Sequence, residues 1–462
     1  MIWANFLHLY QPPTQKPQWV QKIARESYRK LTKEFLENPN AKATINVNGV
    51  LLEHFDTNGC HDIIQDLKTL GTRGQIEFTA SAKFHPFLPL MPEREIVRQI
   101  HLNTETCQKY LGDAYVPRGF FPPEMAYSAH VGEIVARLGF QWIILDELAF
   151  TDDVGHLNPN TIYTLAEHPS CAVFFRDRGI SFRILSAEVN FAGEVTFLLK
   201  DRLQNEYLVT AMDGETFGHH RPGLENLLFA LYHDPNVSSA TMSELLTRFP
   251  SRTPATPRDS TWAILKRDIQ NHTPFSRWSS PTNTIHRDQW ELTNLAIREV
   301  ERCEDKKTLD PRVRPMLDRA LHSDQYWWAS AEPWWSIEMI EAGAKELMDV
   351  IHVLNVSHTI KTRARELYTN ILQTAFEWQR SGVVDERAKA ADEDVVERIT
   401  AEMPYVPEEE FTALVANLTH QMEESARTQE YERAAQLRDR ITELNEKKHE
   451  LITPRGKPPT SS

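Results

Sequence analysis

Over its first 250 residues the chain alternates short apolar runs with longer stretches of helical periodicity, and this alternation limits the fold more than any other feature. The strand candidates are Ile2–Leu9, Ala43–Asn48, Ile76–Ala80, Trp142–Leu145, Ala172–Phe175 and Tyr207–Met212. The helix candidates are 18–37, 63–70, 93–111 and 129–138. Strands that alternate with helices imply an α/β fold with a parallel sheet or barrel and helices outside. In such folds the working side chains sit in loops at the carboxyl ends of strands.

Polar clusters follow the apolar runs repeatedly. The densest is Asp213-Gly214-Glu215-Thr216-Phe217-Gly218-His219-His220, which ends the run Glu206 to Met212. His8 to Pro13 ends the first strand, where proline stops ladder pairing. Phe84-His85-Pro86 follows the third. Glu124 stands behind Pro122-Pro123, whose fixed φ and missing N–H groups stiffen the approach to its carboxylate.

The character changes after residue 250. Proline-rich 249–259 reads as a domain edge or a long surface connection, and stretches 288–304, 314–330, 336–354 and 359–378 carry the apolar spacing of a helical bundle. One of them holds Ser323-Asp324-Gln325-Tyr326-Trp327-Trp328, followed by Trp334-Trp335. These tryptophans serve either packing or a platform for sugar faces. Charged residues 408–450 carry two apolar stripes, Leu414/Leu418/Met422 and Tyr431/Ala434/Ala435/Leu437/Ile441/Leu444, as in an antiparallel helical hairpin. A hairpin so small buries little alone and must dock on its own bundle or on a partner chain. The domains expected are 1–255, 256–403 and 408–450, with 451–462 disordered.

A formal charge of −14 argues against a nucleic-acid surface. Four scattered cysteines with no Cys-x-x-Cys pair make neither a disulfide framework nor a thiolate zinc site. The first residues lack the basic and apolar regions of a signal peptide, and no run approaches the roughly 20 apolar residues of a membrane span. A cytoplasmic protein with no membrane partner is expected.

Two carboxylates at neighbouring strand ends, Glu124 and Asp213, suit glycoside hydrolysis, one as acid and the other as nucleophile or base. The residues leave two alternatives open. His8, His85, His219 and His220 with Asp213 and Glu77 offer zinc ligands for a polysaccharide deacetylase-like enzyme, although no paired helical spacing is present. An inactive glucan-binding scaffold is the other.

Five stretches resemble, in order, the five motifs of family 57 of the glycoside hydrolases. They are His8-Leu9-Tyr10-Gln11-Pro12; Gly74-Gln75-Ile76-Glu77 with its continuation through His85-Pro86; Phe121-Pro122-Pro123-Glu124; Asp213-Gly214-Glu215-Thr216-Phe217-Gly218-His219; and Ser323-Asp324-Gln325-Tyr326-Trp327. The resemblance implies a distorted seven-stranded (β/α) barrel, a helical region completing the site, and retaining action on α-linked glucans such as maltooligosaccharides with no required metal or cofactor. It assigns the nucleophile to Glu124 and the acid/base to Asp213. It implies sugar contacts from His8, Gln11, Glu77, His85, Asp324 and Trp327, with Glu215 and His219 orienting Asp213. The third motif often carries tryptophan where Phe120-Phe121 stands, which makes Phe121 a candidate determinant of sugar stacking. The 422–444 region resembles the UVR motif of UvrB and UvrC proteins, a helical hairpin used for protein–protein contact.

Overall fold

The computed structural model describes residues 1–199, 206–396, 408–446 and Lys448. The expected tail 451–462 lies outside them, as do 397–403 of the expected helical domain and part of 447–450.

Among the described residues ten strands form two five-stranded sheets. One has the order β3 (Ile76–Phe78), β2 (Ala43–Val47), β1 (Ile2–Leu9), β8 (Tyr207–Asp213), with β9 (Ser238–Ser239) also on β1. The other runs β10 (Arg252–Ala255), β6 (Ile162–Leu165), β7 (Ala172–Arg176), β5 (Trp142–Asp146), β4 (Gly119–Phe120). All pairs are parallel except β6 with β7. The sheets meet at two seams. At one, Ala80 bridges Phe120 through two backbone bonds of 2.9 Å; at the other, Asp177 N donates to Val209 O at 2.7 Å.

Strand periodicity fixes what each face carries. On β1, Trp3, Leu7 and Leu9 join an apolar cluster with the surrounding helices, whereas Ala4 and Phe6 join a second cluster with Val209, Ala211, Ile144 and Phe174 between the sheets. His8 continues the inner row, and Asp213 continues the row of Val209 and Ala211. The register pairs His8 with Asn46 and with Asp213, and one layer lower pairs Phe6 with Thr44 and Ala211, and Thr44 with Glu77. His8 and Asp213 therefore share the carboxyl end of the inner face.

The first predicted helix is interrupted. Pro17–Ile23 and Arg29–Glu37 flank a π-helical turn, Ala24–Tyr28, which puts Glu26, Ser27 and Tyr28 against the Asp213 turn. Residues 249–259 correct another expectation: they are not merely an edge, because Arg252–Ala255 is the outer strand beside β6. Pro254 is tolerated there because one side of an edge strand is unpaired.

Helices Thr284–Asp305, Val313–Ala320, Ile337–Val353 and His358–Ser381 pack with Asp324–Trp327 into a large apolar cluster that continues into the loops after β3 and β4. The C-terminal helices Glu408–Arg427 and Tyr431–Glu446 form the expected hairpin. It docks within its own chain, but on the α/β side and not on the helical bundle: Phe411, Leu414, Leu418, Leu437 and Leu444 pack around Phe191. Tyr431, expected in the apolar stripe, is 68% exposed.

Candidate active site

Glu124 lies in the loop after β4 with a left-handed backbone, φ 61°, and Met125 and His85 share that region at 46° and 57°. Such conformations are unfavourable for side-chain-bearing residues and persist where the surroundings over-determine them. Here the bonds responsible are visible. Trp262 N donates to Glu124 O at 3.0 Å, Tyr127 and Ser260 pair through their backbones, and Ser323 N donates to His85 O at 3.0 Å. The helical region and the 260–262 loop thus hold the strained segments.

The Glu124 carboxylate accepts from Trp262 Nε1 at 2.8 Å and from Ser323 Oγ at 3.3 Å; His85 Nδ1 lies 3.6 Å away. Burial first, then the negative charge of Asp324, push its pKa up to about 8, against the Trp262 bond and with the charge of Asp213. Burial pushes Asp213 up to about 7, opposed by the Arg176 guanidinium. Burial and the Asp213 charge push Glu215 up to about 8. Asp324 is the exception. Burial would raise it, yet the bond and charge of His322, then His85 and the Tyr10 hydroxyl, hold it below its ordinary value.

Arg176 secures the Asp213 side. It donates to Asp146 at 2.7 Å, to Ala211 O at 3.1 Å and to Trp262 O at 2.8 Å, and Arg178 donates to the same Asp146 at 2.7 Å. Asp146 is fully buried, so both cations are needed to offset its desolvation.

His8 and His85 stack at 5.0 Å, and Tyr10 lies on His85 at 4.1 Å. Asn46 gives its amide N–H to Thr79 at 3.2 Å, which leaves its oxygen to accept from His8 Nδ1 at 2.8 Å. Ser323 gives its proton to Glu124, so its oxygen accepts from His85 Nδ1 at 3.1 Å. Burial keeps both rings neutral, with His85 lowered to about 4 and His8 well below its ordinary value. Neutral imidazole with Nδ1–H leaves Nε2 as an acceptor, and both Nε2 atoms are buried with no hydrogen-bond partner. Two acceptors thus stand ready for hydroxyl groups.

Asp324 belongs to this cluster, accepting from Tyr10 Oη at 2.6 Å and bonding His322 Nδ1 at 3.1 Å. Other predicted residues lie further back. Phe121 is fully buried against His8 (4.6 Å) and Phe6 (5.1 Å), so it supports the His8 ring. Glu77 lies one layer below His8, where its carboxylate takes the Ser243 N–H at 2.9 Å, the Ser243 hydroxyl and Thr44 Oγ1 at 3.4 Å. Gln11 and Glu215 meet at 3.1 Å, and Glu215 also accepts from Tyr28 Oη and Tyr10 N. His219 gives Nδ1 to Glu26 at 2.6 Å. Trp327 packs at a tilt against Trp278, ring centroids 4.9 Å apart, at the edge of the helical core. Among the described residues no group of three or more His, Cys, Asp or Glu is arranged to hold a metal ion.

Tyr10, Trp262, Ser323, His322 and Arg176 are the residues that motif reading passed over. Tyr10 and Ser323 lie within the motif stretches; Trp262 carries no signal beyond following the proline-rich segment.

Comparison with known proteins shows the family and the fold. The sequence profile described as Glycosyl hydrolase family 57 matches residues 8–252, more than half of the chain. This chain belongs to glycosyl hydrolase family 57. A second profile, the UvrB/uvrC motif, matches residues 412–447. Among curated relatives, an alpha-amylase of Pyrococcus horikoshii is 25% identical over 278 residues, covering 57% of this chain and 41% of that protein. A 4-alpha-glucanotransferase of Thermococcus kodakarensis is 24% identical over 277 residues, covering 57% and 40%. The chain thus spans about two fifths of the length of these relatives. The crystal structure of a GH57-type branching enzyme from Pyrococcus horikoshii superposes with a TM-score of 0.60 at 16% identity, over 88% of this chain and 98% of that one, which establishes a shared fold.

Proposed function

We propose that this family 57 protein is a retaining enzyme acting on α-linked glucans, with Glu124 as nucleophile and Asp213 as acid/base. Glu124 Oε attacks the anomeric carbon as Asp213 gives its proton to the departing glycosidic oxygen. Asp213 then takes a proton from water or an acceptor hydroxyl, which displaces Glu124 with net retention.

The observation that carries this reading is that both carboxylates flank one pair of rings: His8 pairs with Asp213 in the β1–β8 register and stacks at 5.0 Å on His85, whose Nδ1 lies 3.6 Å from Glu124. Trp262 and Ser323 donate to the nucleophile, favouring its anion. Arg176 lies nearer Asp213. His8 and His85 accept from hydroxyls of the sugar beside the cleaved bond, and Asp324 fixes the Tyr10 hydroxyl against that subsite.

Seven strands, β8, β1, β2, β3, β4, β5 and β7, are read as a distorted barrel joined at the Ala80–Phe120 and Asp177–Val209 seams. Among the described residues no helix is long and apolar enough to cross a membrane. A cytoplasmic location, and a protein partner for the hairpin, belong to the same proposal.

The test is incubation with maltooligosaccharides, with and without a chelator, following products by anomeric proton NMR. Wild type forms α-configured products in both conditions, and Glu124→Gln forms none. Undiminished turnover by Glu124→Gln, or first-formed β products, overturns the reading.

A further inference from the structure

We infer that Arg433, on the second helix of the C-terminal hairpin, is a positioning residue for Asp213, which makes the hairpin a working part of the catalytic turn. This rests on the reading of Asp213 as acid/base.

Arg433 is 5% exposed and Glu26 is 3% exposed. Arg433 Nη1 donates to Gly218 O at 3.0 Å and lies 3.3 Å from Glu26 Oε2, the oxygen that also takes His219 Nδ1 at 2.6 Å. Gly218 and His219 end the turn that Asp213 begins. A hairpin seated only by its apolar stripe has no need of a buried cation, since burying a guanidinium is costly unless it is paired. Arg433 spends that charge on this turn and on the residue that braces it.

Glu26 belongs to the π-helical segment lying between hairpin and turn. Ser27 Oγ donates to Gly214 O at 2.9 Å, and Tyr28 Oη donates to Glu215. The fit is close: a Cβ on Gly218, φ 97°, would sit 2.2 Å from Glu26 O. Around this contact the hairpin is fixed by Arg25–Glu430 at 2.7 Å and by Leu418 against Gly223, where an added Cβ would meet Leu418 at 2.3 Å. Arg433 and the π-helical segment thus grip residues 214–219 from both ends. Removing the guanidinium frees Glu26 and the Gly218 carbonyl and shifts the backbone on which Asp213 stands. Small displacements of a proton donor cost rate steeply, whereas binding of sugar by His8 and His85 is untouched.

The test uses the full chain and two substrates, a maltooligosaccharide and the α-maltooligosyl fluoride of the same length. Fluoride departs without a proton, so its release in the pre-steady-state burst does not need the acid. Arg433→Met keeps the packed stem and removes the charge. It lowers kcat on the oligosaccharide about tenfold with little change in KM, leaves burst fluoride release within about twofold, and is partly rescued in Arg433→Lys. Glu26→Gln shows the same selectivity and decides the matter if Arg433→Met does not fold. Asp213→Asn is the internal control: its own selective loss on the oligosaccharide upholds the acid/base reading, and normal turnover defeats that reading whatever Arg433 does. With Asp213→Asn selective, equal rates on both substrates in Arg433→Met, either unchanged or lowered together, overturn the inference.

Discussion

The indole N–H of Trp262 lies 2.8 Å from Oε2 of Glu124, while its main-chain carbonyl takes the guanidinium of Arg176, the cation beside Asp213. One residue therefore touches the proposed nucleophile directly and the proposed acid/base through Arg176.

Trp262→Phe removes a donor from the Glu124 anion and keeps most of the ring. A hydrogen bond to a charged group contributes about 1.5–3 kcal/mol, so kcat/KM falls roughly 10- to 100-fold. The acidic limb of the pH–rate profile moves upward, because the anion is harder to form. An unshifted limb contradicts the role given to the indole.

Asp324→Asn moves the same limb the other way. Asp324 is held in its charged form and raises Glu124, so the neutral amide lets Glu124 ionise at lower pH. Opposite shifts in Trp262→Phe and Asp324→Asn, measured on one substrate, separate the two contributions. A shift in the same direction refutes the assignment.

The buried carboxyls also make stability depend on pH. Glu124 is raised from 4.5 to about 8 and Asp213 from 3.8 to about 7, so the folded protein keeps protons that the unfolded chain has already released. Their contribution is complete below pH 4 and is lost as pH rises through 7 and 8. Between pH 5 and pH 8 the loss from Glu124 is about 2 kcal/mol or more, and Glu124→Gln abolishes its share. Urea midpoints of both proteins against pH measure this; parallel curves contradict it.

Glu77→Ala separates structure from catalysis. Its carboxylate serves Ser243 and Thr44 a layer below His8, so its loss leaves buried groups unpaired at a cost of about 1–3 kcal/mol. The urea midpoint falls while kcat on maltooligosaccharide stays within about threefold. A hundredfold loss of kcat returns Glu77 to the sugar.

The strand order of function was readable because parity is strict: apolar Ala4, Phe6 and Val209, Ala211 aim His8 and Asp213 inward. The long helices were readable for the matching reason, since Glu93–Leu111 buries Ile96, Ile100, Cys107 and Leu111 at helical spacing. What escaped depends on contacts between remote segments. The π-helical turn at Ala24–Tyr28 looks like ordinary helix, and only its fit against Gly214 and Gly218 gives it meaning. Strand Arg252–Ala255 hides among prolines because an edge strand needs pairing on one side alone. Trp262 lies outside every motif, and its partner stands 138 residues earlier. The hairpin was legible as a hairpin, but its seat required knowing that Phe191, Gly223 and Glu26 come together.

The central claim is that Glu124 forms a bond to the sugar, and the glycosyl-enzyme itself tests it most directly. Asp213→Asn treated with an α-maltooligosyl fluoride loads through fluoride departure and then turns over slowly, because the base for the second step is missing. Peptide mass spectrometry of the quenched protein is predicted to find the maltooligosyl mass on the Pro123-Glu124-Met125 segment, esterified to Glu124. Label on any other residue, or its undiminished appearance when Glu124→Gln is added to Asp213→Asn, contradicts the account.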